Sequence, residues 1–442
     1  MISFNHVLKS AEEYPDLKDD FHKGDLFIKE ESKKIVIINP VFNDGQGDFE
    51  LARKLEKCIA AKGLQAVTVS LIEKYNRENY TCTYENLSRE SKKIKNLLVV
   101  VAPFSFCNPK ALIQAFKNHV IITEHTKVVM IDEMETDSQY SFHDYKDEFE
   151  TIGIQRVYEK KLGFGKNCIG YVSIEESEQV AIKQRSKREL DRLFDSFHLN
   201  LDPFAHYYVG YLNSDIKLTS SQVFMINTLL GLKEHPSSVN YFFSLGKGDW
   251  KSDVKKISKG ACGILPILEE LDKDIAHQFS KVNIILVDVY KNKIFHSKLQ
   301  SRQKKGGIPI NVVFMNSKQM PKNIWHHFIV MSKSGVMTGD QSFCDYLSLK
   351  KEMPFYEMRD WKWPLRQSLI DSAEKFGGKE LKEYVRTKIF GRMPPCGDIS
   401  YQLMNRSLLN DRLNSDFQNF GTFLSQKVAN ESIGAYLKSI DL

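Results

Sequence analysis

The stretch Ser334-Gly335-Val336-Met337-Thr338-Gly339-Asp340-Gln341-Ser342-Phe343 joins an apolar run to a glycine and three small or polar side chains. It reads as a strand end, a turn and the start of a helix. The first N–H groups of a helix have no partner inside it. Aimed at one point, at the positive end of the helix dipole, they make a cradle for a phosphate or diphosphate. Gly339, Asp340, Gln341 and Ser342 are therefore candidate ligand-binding residues, although helix capping alone would also explain Asp340 and Ser342. The next strand, Met353-Pro354-Phe355-Tyr356-Glu357, tips the balance toward a ligand. It closes on a carboxylate, Glu357, that can accept from ribose or sugar hydroxyls.

A second glycine turn, Asn43-Asp44-Gly45-Gln46-Gly47-Asp48, follows the apolar run Lys34 to Pro40. Glycine there permits positive φ and close approach of another backbone or ligand. Asp44 or Asp48 is the candidate general base, a carboxylate able to take a proton from an acceptor hydroxyl or amide. An Asp at a helix start also caps that helix, and the turn does not follow GxGxxG, so a nicotinamide or flavin fingerprint is absent. A third turn, Gly246-Lys247-Gly248-Asp249, ends the apolar run Val239 to Ser244. Lys247 between Gly246 and Gly248 could meet a phosphate as a point charge; a polar glycine loop explains the same residues.

Other patterns carry less. Val128 to Glu133 imitates a Walker B strand, but no GxxxxGK[ST] precedes it, and the NTPase reading is set aside. Asp132 and Glu133 are expected instead at a strand's carboxyl edge, which in an open α/β sheet lies near the ligand crevice. His326 and His327 are adjacent and point different ways on a helix, and no HExxH occurs, so no metal site is expected. Trp361 and Trp363, flanking Lys362, could stack on a base or sugar, although packing is the commoner fate of tryptophan.

The elements that position these turns are near-continuous apolar runs of strand length: Lys34–Pro40, Leu64–Ile72, Asn96–Val101, Lys127–Glu133, Tyr207–Leu212, Val239–Ser244, Lys281–Val289, Ile310–Met315 and Ser334–Met337. They alternate with helical sequence, and buried strands in alternation with helices predict an α/β fold with parallel sheets. The expected division is a lead-in at 1–32, a Rossmann-like domain at 33–200, a second at 201–400 and C-terminal helices at 401–442, with a hinge near 175–235. From Trp361 onward the sequence reads as helices without a strand.

Two domains also suit the length of 442 residues, and 42% hydrophobic residues are ample for burial. A net charge of +6, from 62 basic and 56 acidic residues, is too dilute to argue for nucleic acid. Seven scattered cysteines without a CxxC pair point to a reducing compartment, hence a cytoplasmic location. Met1 to Lys34 carries no apolar signal-peptide core, so export would need a non-classical route. No apolar run reaches the about 18 residues of a membrane span. The Lys-, Asn- and Phe-rich composition fits an AT-rich bacterial genome.

The two turns and their layout resemble the GT-B glycosyltransferases, in which two Rossmann-like domains face each other across a cleft. The likeness rests on Ile35 to Lys57, on Thr338 to Ser342 and on the passage Leu349–Glu357, where Lys350-Lys351-Glu352 stands in place of the usual glycine before a Lys-Pro step. It covers most of residues 33–440. The resemblance implies a nucleotide-sugar as co-substrate, no other cofactor and no bound metal, with Gly339 to Ser342 facing the diphosphate, Glu357 the nucleoside or sugar, and Asp48 or Asp44 the acceptor. The implied reaction is an inverting transfer to an acceptor left open, a protein among the choices, as in bacterial effector-type members. A non-catalytic GT-B-like binding protein, suited by aromatics expected on the surface (Tyr207, Tyr208, Tyr211), and a nucleotide-sugar epimerase are the alternatives.

Overall fold

The structure, a computed structural model, describes residues 34–42, 46–76, 81–86, 94–95, 98–196, 201–212, 219–245, 279–290, 293–303, 307–316, 322–390 and 411–441. In chain order, β1 (Lys34–Val41), α1 (Gln46–Ala60), β2 (Gln65–Asn76), β3 (Thr81–Asn86), β4 (Ile94–Lys95), β5 (Leu98–Val101), α2 (Pro109–His119), β6 (Val120–Ile121), β7 (Lys127–Asp132), α3 (Phe142–Glu150) and β8 (Arg156–Lys161) come first. Then follow α4 (Glu176–Ser196), β9 (His206–Leu212), α5 (Thr219–Leu230), β10 (Val239–Leu245), β11 (Phe279–Tyr290), β12 (Lys293–Gln303), β13 (Ile308–Asn316), α6 (Lys322–Met331) and β14 (Ser334–Thr338). The chain ends with α7 (Asp340–Lys350), β15 (Phe355–Glu357), a 3-10 turn (Asp360–Lys362), α8 (Trp363–Lys388), β16 (Ile389–Phe390), α9 (Asp411–Ser425) and α10 (Asn430–Asp441).

These elements form two compact units. The N-terminal unit takes the described residues up to Glu175, with Asp360–Ser372 and Leu424–Leu442; the C-terminal unit takes Glu176–Arg359 and Ala373–Phe423. The helix α4 goes with the C-terminal unit because its Ser186 hydroxyl meets the His327 Nδ1 of α6 at 2.8 Å. Among the described residues no helix is long and apolar enough to cross a membrane.

The N-terminal sheet has the order β3-β2-β1-β5-β7-β8, parallel except for the antiparallel β2–β3 pair. Ile35 to Ile38, Leu98 to Val101 and Val128 to Ile131 are buried on both faces, which is why they read as continuous apolar runs rather than alternating ones. From β1 the chain builds outward to β2, then returns to place β5 on the other side of β1. That reversal is the switch point at which open α/β sheets bind ligands. The strand β8, Arg156-Val157-Tyr158-Glu159-Lys160-Lys161, escaped the sequence reading because an edge strand carries charge on its open side.

The C-terminal sheet has the order β12-β11-β13-β10-β9-β14-β15-β16, parallel except for β11–β12. Its switch point lies between β9 and β14. Two glycines let its layers close. A Cβ on Gly210 would come within 2.5 Å of the Phe243 ring, and one on Gly335 within 2.6 Å of the Tyr346 ring. Tyr346 thus presses α7 directly onto β14, which sets the amino end of α7 at that strand's carboxyl end.

Two expectations are corrected. The sequence after Trp361 is not purely helical, since β16 pairs with β15 through Tyr356↔Ile389 and Glu357↔Phe390. Two residues of strand escape a periodicity reading. Tyr207 and Tyr208 are not surface aromatics: they are 6% and 7% exposed, because β9 is an interior strand paired on both sides, and Tyr211 is half-buried against Trp325. The support they lent to a binding-protein reading is withdrawn. The α/β class, with two Rossmann-like units and C-terminal helices, is as expected.

Candidate functional site

Each sheet gathers chemistry at its carboxyl edge. In the C-terminal unit, parallel register pairs Thr338 with Glu357, so β14 and β15 end side by side. The Thr338 hydroxyl donates to the Glu357 carbonyl at 3.1 Å. Gly339 then turns with φ 75° and ψ 151°, a region open essentially to glycine alone. A Cβ there would meet nothing within 4 Å, so the glycine serves the backbone angle and not a shortage of room. The helix α7 starts at once, without a side-chain cap at Gly339. Asp340, Gln341 and Ser342 are half-buried in its first turn, whose N–H groups an α-helix cannot bond internally. The Asp340 carboxylate complements the positive end of the helix dipole. At the other end of α7, Lys351 takes φ 59°, the left-handed turn that a glycine usually supplies and that the resemblance lacked.

Glu357 is fully buried, so its carboxylate lies behind the surface of this edge. Gly246, Lys247 and Gly248, expected beside it, lie outside the described residues, as does Asp44. The two histidines diverge as expected: His326 Nε2 meets Asp345 Oδ2 at 3.1 Å, and His327 turns to Ser186. No group of three or more His, Cys, Asp or Glu side chains that could hold a metal ion comes together among the described residues.

In the N-terminal unit the buried Asn39 side chain ties the switch point together. Its Nδ2 donates to the carbonyls of Asp48 (3.0 Å) and Ala102 (2.8 Å), and its Oδ1 accepts from the Ser70 hydroxyl. One side chain thus joins β1, β2, the start of α1 and the end of β5. Asp48, in the first turn of α1, accepts the Phe42 N–H on Oδ2 at 2.9 Å. It ties the residue after β1 to the first turn of α1 from a half-buried position.

Asp132 and Glu133 stand at the carboxyl end of β7, as the sequence suggested. Asp132 accepts from the Ser105 hydroxyl and, at 2.9 Å, from the Glu133 N–H. Burial pushes its carboxyl up to about 7; Glu133 adds to the rise, while Lys362 and Lys161 oppose it. The Lys362 ammonium, 3% exposed, donates to Glu133 Oε2 (2.9 Å), the Met134 carbonyl (3.1 Å) and the Thr136 hydroxyl. Next to it the Trp361 carbonyl accepts the Asp137 N–H at 2.7 Å. Glu135 accepts from the Ser368 hydroxyl and from the Phe164 N–H at 2.7 Å. A Cβ on Gly163 or Gly165 would overlap the Glu135 side chain, at 2.4 Å and 2.5 Å, so that glycine-broken stretch is a seat for a carboxylate. Sequence reasoning missed Asn39 and Ser105, which no local pattern singles out.

No protein-family model matches the chain, and no curated protein matches it. Among solved structures it is similar to a UDP-forming α,α-trehalose-phosphate synthase from Burkholderia vietnamiensis, at 8% identity and a TM-score of 0.41, covering 92% of this chain and 96% of that one. It is likewise similar to the E. coli trehalose-6-phosphate structure bound with UDP-2-fluoro glucose, at 7% identity and a TM-score of 0.40, covering 92% and 99%. Similarity at this level carries neither the activity nor the ligands of those proteins to this chain.

Proposed function

We propose that the chain is a glycosyltransferase of the GT-B type, moving a sugar from a nucleotide-sugar to an acceptor hydroxyl or amide. The observation that carries the reading is the pairing of chemistry with topology. Asp48 stands in the first turn of α1, beside the N-terminal switch point, and Gly339–Ser342 stand at the start of α7, beside the C-terminal one. The amino end of α7 receives the donor diphosphate, whose charge grows as the bond to the anomeric carbon breaks. Asp48 accepts the acceptor proton as the acceptor atom bonds to that carbon on the opposite face. The configuration inverts, and the nucleoside diphosphate leaves. No metal takes part in this reading, since backbone donors meet the leaving group.

A thermal-shift screen of UDP, GDP, TDP, CMP and their sugars, with and without Mg²⁺, tests it. A ligand at about 100 times its dissociation constant stabilises the native state by roughly 2.7 kcal/mol. A shift with one nucleotide series, independent of Mg²⁺, supports the transferase and names its donor. Conversion of a donor sugar with no acceptor present selects the epimerase. No shift across the series selects the non-catalytic binding protein.

A further inference from the structure

At the amino edge of the C-terminal sheet, the end away from Gly339, polar groups gather around His206, the first residue of β9. His206 is 7% exposed. Its Nε2 meets Glu234 Oε2 at 2.8 Å, and the Lys333 ammonium donates to the same oxygen at 2.7 Å. Its Nδ1 is buried and meets no hydrogen-bond partner among the described residues. Glu234 belongs to the segment 231–238, which joins α5 to β10. The backbone of that segment is tied to the same edge. The His206 N–H donates to the Ser238 carbonyl at 2.9 Å, and the Ser237 N–H to the Phe204 carbonyl at 3.1 Å. We propose that His206 is an acid-sensitive pin: neutral, it holds the segment 231–238 on the amino edge, and protonated, it turns out to water and lets the segment come away.

A neutral imidazole carries one proton, and Nε2 can give it to Glu234 while Nδ1 stays bare. A protonated ring carries an N–H on both nitrogens, and the one on Nδ1 becomes a buried donor of a charged group with no acceptor. Lys333 brings a like charge to the same carboxylate. Burial holds the ring below its ordinary 6.5 and Lys333 lowers it further, while the bond to Glu234 and its charge oppose them. The other groups facing the ring do not change charge in the same range. Glu234 is held below its ordinary 4.5, first by its bond from Lys333, and Tyr208, whose ring lies 6.5 Å away, is pushed up to about 12 by burial. A ring that binds its proton more weakly in place than in water favours release as the pH falls through 6.5. Each pH unit between the two values is worth about a tenfold loss of protection. The pin is independent of the transferase reading.

The test is amide exchange of the full chain, expressed as protection factors from pH 7.5 to 5, beside a chemical-shift titration of the His206 ring. The expected result is a ring that titrates below 6.5 and a protection of 231–238 that falls with the pH. In His206→Gln the amide donates to Glu234 without titrating, and protection should stay flat. In Glu234→Gln the group that favours the charged ring is gone, and the fall should be larger than in the native chain. Unchanged protection within β10 shows that both variants fold. A ring that titrates at or above 6.5, or protection of 231–238 that does not depend on pH, overturns the pin. So does an equal fall in His206→Gln, which would assign the effect to His235 in the same segment.

Discussion

At the N-terminal edge the polar groups are side-chain carboxylates, each tied to a neighbour and set among exposed rings: Asp48 to the Phe42 N–H, Asp132 to Ser105, Glu133 to Lys362. At the C-terminal edge the feature is backbone, the amino end of α7 introduced by Gly339 in a conformation that other residues avoid. The same topology thus presents two chemistries. One edge offers side-chain carboxylates beside exposed rings; the other offers the first N–H groups of a helix and the positive end of its dipole. What decides is the residue at each strand's end, not the sheet.

The largest break in that comparison is expected from Asp48→Asn. The amide keeps an oxygen for the Phe42 N–H but cannot take a proton, so turnover measured as nucleoside diphosphate release should fall about 10³-fold. Nucleotide binding, proposed for the other edge, should not move.

The two units also hold opposed buried titrating groups. Burial lifts Asp132 from 3.8 to about 7 and lowers Lys388 from 10.5 to about 7. Lys388 donates to Asn227 Oδ1 at 2.7 Å inside the C-terminal unit. The folded state binds the Asp132 proton more tightly than the unfolded one, so this group lowers stability progressively from pH 3.8 to about 7 and fully above. Lys388 does the reverse: its penalty is full below about 7 and fades toward 10.5. Asp132→Asn should therefore raise the denaturant midpoint most above pH 7, and Lys388→Met most below it. Each gain is several kcal/mol at most, since every pH unit separating the folded from the unfolded pKa is worth about 1.4 kcal/mol. Parallel pH profiles for the two variants would contradict the assignment.

Smaller effects sharpen the C-terminal side. Gly339→Ala meets no steric obstacle but must hold φ 75°, which costs about 1–3 kcal/mol. It should lower the melting point and weaken nucleotide binding together. Ser342→Ala should weaken nucleotide binding by roughly 1 kcal/mol with the melting point of the free protein unchanged, read by calorimetric titration.

The strands buried on both faces were legible, because Lys34–Val41 or Lys127–Asp132 can hardly be anything else, and Gly339 to Ser342 do follow a strand and open a helix, as their sequence suggested. What was not legible depends on distant partners. Asn39 matters only because Ala102 and Ser70 come to it across the sheet, and Lys362 can be buried only because Glu133, Met134 and Thr136, more than 200 residues earlier, receive its ammonium. The tyrosines of β9 misled because aromatic and polar positions do not reveal that a strand is paired on both sides.

Hydrogen exchange of the full chain with and without the nucleoside diphosphate that gives the largest thermal shift tests the central claim most directly. Slowed exchange is expected at the amides of Gly339 to Ser342, with no change at Phe42 or in the first turn of α1. Protection at the N-terminal edge instead, or none at the amino end of α7, would contradict it.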